Sequence, residues 1–339
     1  MRSELTLWNN TMMKQCREGY KKILEPLVSV IMPSYNAESY IGQAIESILY
    51  QTYENWELII IEDASTDRSM DVIRSYEDDR IKVYCNGYNR GIAASTNRGI
   101  DECHGKYVAL LDDDDIAEKK RLELQVNYLE QHLEIDILGG RTTYIDSQGE
   151  LIDYAAVPRY NPRYIKAMLL FNCMDFMNST AMIRKNFIVK NRLLYHDGCY
   201  GMQDFRFYME SSKVGNLSTI KDFVLRHRMH ENNTTKKMTE NFKEERAKVY
   251  AQLQRDSLYA SGFRLNEASL TLVNKVLAEF NGKCDSLDEL VQLYEILQEL
   301  LKQGRKMEID YYDEMSHVCR TKIAKQVIEF KNLFDYKKR

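Results

Sequence analysis

Between Val28 and Leu138 short unbroken apolar runs alternate with stretches whose apolar residues recur every three or four positions. The runs Val28-Ser29-Val30-Ile31-Met32, Trp56 to Ile61, Ile81 to Tyr84, Tyr107 to Leu111 and Ile135 to Leu138 read as strands buried on both faces. The first should stop at Pro33, which has no N–H for a ladder, and the last at Gly139-Gly140. Between them, Ile41, Ile45, Ile48 and Leu49, then Met70, Val72 and Ile73, fall on single helical faces, and a further helix ends near Ile100. Glu118 to Leu133 continues as a helix with Leu122, Val126 and Leu129 on one side. Strands alternating with helices at this spacing specify βαβ units. The fold class is therefore α/β, Rossmann-like, with a mostly parallel central sheet flanked by helices.

Past Leu138 the pattern is mixed. Thr142 to Ile145 reads as strand and Ser147 to Glu150 as turn, Pro158 and Pro162 mark loops, and Phe223 to His230 is a strand running into a basic loop. From about Asn233 strand signals vanish, and an all-helical C-terminal region, 236–339, is expected. In it Leu265 to Phe280 is one helix, and Ser286-Leu287-Asp288-Glu289 is a capping box opening another that Gly304 should stop. The last segment, Asp310 to Arg339, sets apolar residues beside Arg320, Lys322, Lys325, Lys331 and Lys337-Lys338-Arg339. Such a helix either packs on the rest of the chain, or on a second copy, or lies on an anionic membrane surface. Residues 1–26 read as an N-terminal arm or short lead-in helix.

The chemistry is concentrated where strands end. The second run stops on Glu62-Asp63 and the fourth on Asp112-Asp113-Asp114-Asp115. In an open α/β sheet ligands bind outside the carboxyl ends of the strands, so these acids and Pro33 to Asn36 share one rim. Four adjacent carboxylates repel, and a hard divalent cation, Mn2+ or Mg2+, would offset them; the alternative is a solvated acidic turn. No GxGxxG or GxxxxGK[ST] is present, which removes the dinucleotide and P-loop readings. A net charge of -4 with 29% charged residues gives no electrostatic footprint for nucleic acid. Seven scattered cysteines without a CxxC pair, no apolar stretch long enough to span a bilayer, and no signal-peptide core in MRSELTLWNN point to a cytoplasmic protein, or one peripheral at the inner face of a membrane.

Four segments in order, VSVIMPSYNAESYI, LIIIEDASTD, NRGIAASTNRGI and GKYVALLDDDD, resemble the family 2 glycosyltransferases of the GT-A fold over roughly residues 27 to 130. The resemblance implies a GT-A domain over 27–235, with a nucleotide-sugar half at 27–130 and an acceptor half at 131–235. It implies a nucleotide-diphosphosugar donor, a divalent metal and inverting transfer to the hydroxyl of a glycan, glycolipid or glycoprotein acceptor. On the matching positions, Pro33, Tyr35 and Asn36 border the nucleoside, and Glu62-Asp63 places Asp63 on the base. Asn97 belongs to the nucleotide site, although Thr96 stands where the family often has Arg. Asp112 and Asp114 occupy the DxD positions around Asp113, the first towards ribose and metal, the second as principal metal ligand. Gly201-Met202-Gln203-Asp204 resembles the family's xED segment with Gln203 for the usual Glu, making Asp204 the base that takes the acceptor proton. Taken by itself, Asp204 also suits an N-cap. Arg228 and His230 resemble its RxH, closing over the diphosphate, with His230 as a further metal ligand. Two other readings remain at this level: a nucleotidyltransferase, which lacks its Gly/Arg-rich loop here, and a nucleotide-sugar-binding scaffold that acts through its helical tail.

Overall fold

A computed structural model of the chain describes residues 25–157, 159–171, 176–278 and 282–336. Nearly all of the expected N-terminal arm, Pro158 and Lys337-Lys338-Arg339 lie outside the described residues.

Strands β1 (Val28–Ser34), β2 (Trp56–Glu62), β3 (Ile81–Cys85) and β4 (Tyr107–Leu110) form a parallel half-sheet in the order β3-β2-β1-β4. Ile31 stands opposite Ile59 on one side and Leu110 on the other, so the carboxyl ends of β1, β2 and β4 share one rim. The apolar runs predict this because every residue of β2 and β4 is buried. Helices α1 (Ile41–Leu49), α2 (Ser69–Arg74) and α4 (Arg121–Gln131) pack on one face, and α3 (Ile92–Glu102) on the other. The chain order reverses between β1 and β4, the place where such sheets open a crevice.

Three boundaries differ from the sequence expectation. Strand β1 runs through Pro33 to Ser34. The Ile31 carbonyl accepts from Leu111 N–H at 3.1 Å, so Pro33, two residues on, faces the same side; β4 has ended there and no ladder donor is lost. The strand expected to stop at Gly139-Gly140 instead continues as β6 (Ile137–Ile145). A Cβ at Gly139 would lie 2.4 Å from the Phe176 ring and one at Gly140 2.5 Å from Val224, so these glycines permit close packing. The helix expected from Glu118 begins at Arg121, after a two-residue strand β5 (Ile116–Ala117).

The second half of the sheet is mixed. Strand β8 (Met182–Arg184) runs antiparallel between β4 and β6, while β9 (Leu217–Arg228) lies parallel to β6 and antiparallel to β5. Strand β7 (Leu151–Tyr154) makes a hairpin on β6. Helices α5 (Pro162–Leu169), α6 (Lys185–Asn191) and α7 (Gln203–Ser211) complete this half.

The C-terminal region is helical as expected: α8 (Thr234–Asn241), α9 (Lys243–Ala260), α10 (Glu267–Val273), α11 (Leu287–Lys306) and α12 (Tyr312–Tyr336). Ser286 Oγ caps α11 by accepting from Glu289 N–H at 3.1 Å, while the Glu289 carboxylate reaches back to Asp285 N–H rather than to Ser286. Gly304 does not stop this helix; it is buried inside its last turn, against Phe263 and Tyr312. The apolar face of α12, through Met315, Val318 and Cys319, shares a core with α11 and with Ala167, Leu170 and Phe171 beside the sheet domain. Packing on its own chain therefore takes up that face, leaving Val327 and Ile328 outside. Among the described residues no helix is long and apolar enough to cross a membrane.

Candidate active site

The loop after β4 turns its four carboxylates in different directions. Asp112 receives a short hydrogen bond from Ser179 Oγ, Asp113 accepts from Tyr35 N–H at 3.1 Å, and Asp114 lies 2.8 Å from His230 Nε2. Asp115 turns into the protein, fully buried, accepting from Arg228 N–H at 3.0 Å and lying 2.9 Å from His227 Nδ1. Burial and the repulsion of Asp115 and Asp114 push Asp112 up to about 7, against the pull of Ser179. Burial and Asp114 raise Asp113 well above the ordinary carboxylate range as well. Burial alone would lower His227, but Asp115, with Asp114 and Asp112 adding, carries it up to about 9.

One oxygen each from Asp112, Asp114 and Asp115 lie within 4.8 Å of one another. Hard carboxylate oxygens this close, with one of them driven towards protonation by its neighbours, fit Mg2+ or Mn2+. Asp115 is already committed to His227 and the Arg228 main chain. An ion entering from the cleft would meet Asp112 and Asp114, with His230 beside them.

The loops expected to border the nucleoside are tied together by their own side chains. Asn36, at φ +53°, accepts from Thr66 N–H at 2.8 Å, and the Glu62 carboxylate closes its own turn by accepting from Ser65 N–H. Buried Asp63 accepts from Asn86 Nδ2 at 2.6 Å and from the N–H groups of Arg90 and Gly91, both at 2.8 Å. It thus shapes the loop leading into α3. Tyr35 is exposed at the rim, and Pro33 lines the cleft.

A cleft of about 870 Å³ opens beside this rim, lined by Pro33, Asp112, Asp113 and Asp114 from the parallel half of the sheet and by Asp204, His227 and His230 from the mixed half. Asp204 and Asp114 therefore face one hollow. Asp204 is the second residue of α7, after Met202 as the cap position, and does not act as the N-cap. Its carboxylate accepts from Phe205 N–H at 2.7 Å; burial raises it above the usual range, against that bond and Arg246.

Two sequence expectations are corrected here. Arg228 does not close over a diphosphate: its guanidinium is buried and spends its N–H groups on the Asp114, Asp146 and Ser147 carbonyls and on Gln43 Oε1, while lying 4.7 Å over the Tyr40 ring. Asn97 does not reach the cleft either. Its amide pairs with the main chain of Tyr195, donating to O at 2.8 Å and accepting from N at 2.9 Å. Conversely, Asn178 and Ser179 open a segment, Asn178 to Arg184, that resembles a strand of the family but carries no assigned role, while His227 and Asn233, whose Nδ2 is 3.3 Å from Asp114, have no motif to mark them. The doublet His227-Arg228 is informative only once β9 shows which of the two faces the acids.

A family profile described as glycosyl transferase family 2 matches residues 29–191. A Haemophilus influenzae protein named an uncharacterized glycosyltransferase is 36% identical over 220 residues, covering 62% of this chain and 68% of that one. Escherichia coli WfgD, named a UDP-Glc:alpha-D-GlcNAc-diphosphoundecaprenol beta-1,3-glucosyltransferase, is 43% identical over 103 residues, 30% of this chain and 41% of its own. The crystal structure of S. aureus TarS 1-349 in complex with UDP-GlcNAc superposes with a TM-score of 0.60 at 18% identity, covering 88% of each chain. That likeness concerns the fold.

Proposed function

Because the chain belongs to glycosyltransferase family 2, we propose that it carries a sugar from a UDP-sugar to a hydroxyl of a surface polysaccharide or glycoconjugate precursor, with inversion and with a divalent metal. The observation that carries this reading is that Asp114, paired with His230, and Asp204 line one cleft from opposite halves of the domain. The UDP donor is supported by the donor in WfgD's name and by the TarS complexes with UDP-GlcNAc and with UDP. WfgD's acceptor, a lipid-linked sugar, supports a glycan acceptor of that class.

In this mechanism Asp112 and Asp114, with His230 alongside, would hold the divalent cation, and the chemistry it would supply is positive charge for the leaving diphosphate. In the metal-free protein His227, held by Asp115, adds a positive group on the same wall. Asp204 stands across the cleft and takes the acceptor proton as the acceptor oxygen bonds to the anomeric carbon. The bond from that carbon to the diphosphate oxygen breaks on the opposite side, so the configuration inverts. A carboxylate raised by burial is a stronger base than one in water, which suits the task. The backbone ties around Asp63, Glu62 and Asn36 keep the nucleoside loops in place before the donor arrives.

The test is Asp204→Asn, assayed by UDP release with a UDP-sugar panel and a lipid-diphosphate sugar acceptor. Donor binding should persist while transfer falls by about 10²–10⁴. Full transfer by that variant removes Asp204 from the chemistry, and binding of no nucleotide sugar by the wild type removes the donor assignment.

A further inference from the structure

Asn178 opens a single 3-10 turn, Asn178–Thr180, on the cleft wall between the acidic loop and α7. Its neighbour Ser179 holds Asp112. The Asn178 side-chain oxygen accepts from two buried tyrosine hydroxyls, Tyr208 at 2.8 Å and Tyr195 at 3.1 Å. A buried tyrosine proton needs an acceptor. Each hydroxyl carries a single proton, and the Asn178 oxygen is the acceptor that both reach. That requirement fixes which way the amide is turned: the oxygen faces the tyrosines. Nδ2 is left as the free end, and no described residue accepts from it.

The support behind the amide is stiff. The Tyr195 ring stacks on Phe207 with centroids 4.3 Å apart and planes 7° apart, and Tyr208 meets Phe176 edge-on at 5.0 Å. The Tyr195 main chain is in turn gripped by Asn97, so a residue of the donor-half motif reaches the cleft wall through this tyrosine.

We propose that Asn178 is a sugar-selecting residue: its amide N–H donates to an oxygen of the transferred sugar, and Tyr195 and Tyr208 are positioning residues that hold the amide in that orientation. The inference rests on the donor reading above, which places the sugar between the diphosphate end at Asp112 and the base at Asp204. An amide turned this way can only donate. It therefore favours donors with a hydroxyl or carbonyl oxygen at the contacted position over the matching deoxy sugars.

The experiment compares calorimetric affinities for UDP and for a panel of UDP-hexoses and their deoxy analogues, with Mn2+, across wild type, Asn178→Asp, Asn178→Ala and the double variant Tyr195→Phe, Tyr208→Phe. Asn178→Asp replaces the donor with an acceptor of the same shape; it should weaken a UDP-sugar that presents a carbonyl oxygen there by about tenfold or more, while a sugar hydroxyl can turn its proton to the new carboxylate, and UDP should stay within about twofold. Asn178→Ala should lose the same sugar increment and bind one deoxy donor as well as the wild type does. The double tyrosine variant should lose part of it, because the amide is then free to turn. Retained UDP affinity certifies the fold of each variant. Equal loss for UDP and UDP-sugar, or unchanged sugar affinity in both Asn178 variants, overturns the proposal. An unchanged sugar increment in the tyrosine variant overturns their positioning role. A wild type that binds UDP but no UDP-sugar fails at the donor reading, which distinguishes that failure from this one.

Discussion

Replacing His227 with Gln tests the electrostatics of the site while every carboxylate stays in place. The imidazole sits with its side chain 16% exposed, 2.9 and 3.2 Å from the two oxygens of fully buried Asp115. Its value in the folded protein is raised from 6.5 to about 9. At roughly 1.4 kcal/mol per pH unit this corresponds to about 3 kcal/mol. Between those two values the folded protein keeps a proton that the unfolded chain releases. The contribution is therefore fully present below pH 6.5 and is lost as pH rises through about 9. Gln can still donate to Asp115 but cannot titrate. Urea unfolding in EDTA at steps from pH 6 to 10 should show wild-type stability falling about 3 kcal/mol further than that of His227→Gln. Added Mn2+ should flatten the wild-type slope, since a cation at Asp112 and Asp114 opposes the imidazolium. Parallel curves for the two proteins in EDTA would show that Asp115 does not hold His227 charged, and the argument for a fixed cation on that wall would go with it.

Asp114→Ala should abolish the dependence of UDP-sugar binding on Mn2+, measured by calorimetry with and without EDTA, with thermal unfolding run alongside because the change also removes the contacts to His230 and Asn233. Gly139→Ala forces a Cβ to within 2.4 Å of the Phe176 ring and should cost about 1–3 kcal/mol in urea unfolding, with the loss sited in the mixed half of the sheet by hydrogen exchange. Asn97→Ala breaks a two-bond grip on the Tyr195 main chain, so it should lower stability by about 1–3 kcal/mol yet leave UDP affinity within about twofold; a large loss of UDP affinity would return Asn97 to the nucleotide site.

Local pattern by itself determined the parallel half of this protein. A β-strand buried on both faces has to be written in apolar residues, so Trp56 to Ile61 and Tyr107 to Leu111 announce themselves, and the acids that follow them must emerge at strand ends. The order of four motifs carried the family and, with it, Asp112, Asp114, Asp204 and His230, all of which line the cleft. The other half was decided in three dimensions. Gly139 and Gly140 look like a stop in one dimension and are the places where Phe176 and Val224 press against a continuing strand. Arg228 and His227 are adjacent in sequence, but strand alternation sends one guanidinium into the Gln43 and Asp146 contacts and leaves the imidazole between Asp115 and the cleft. Asn97 and Tyr195, or Asn178 and Tyr208, meet across tens of residues. Periodicity reports which face of an element is buried; which particular side chain waits there is set by segments the chain reaches much later, and only packing chooses among them.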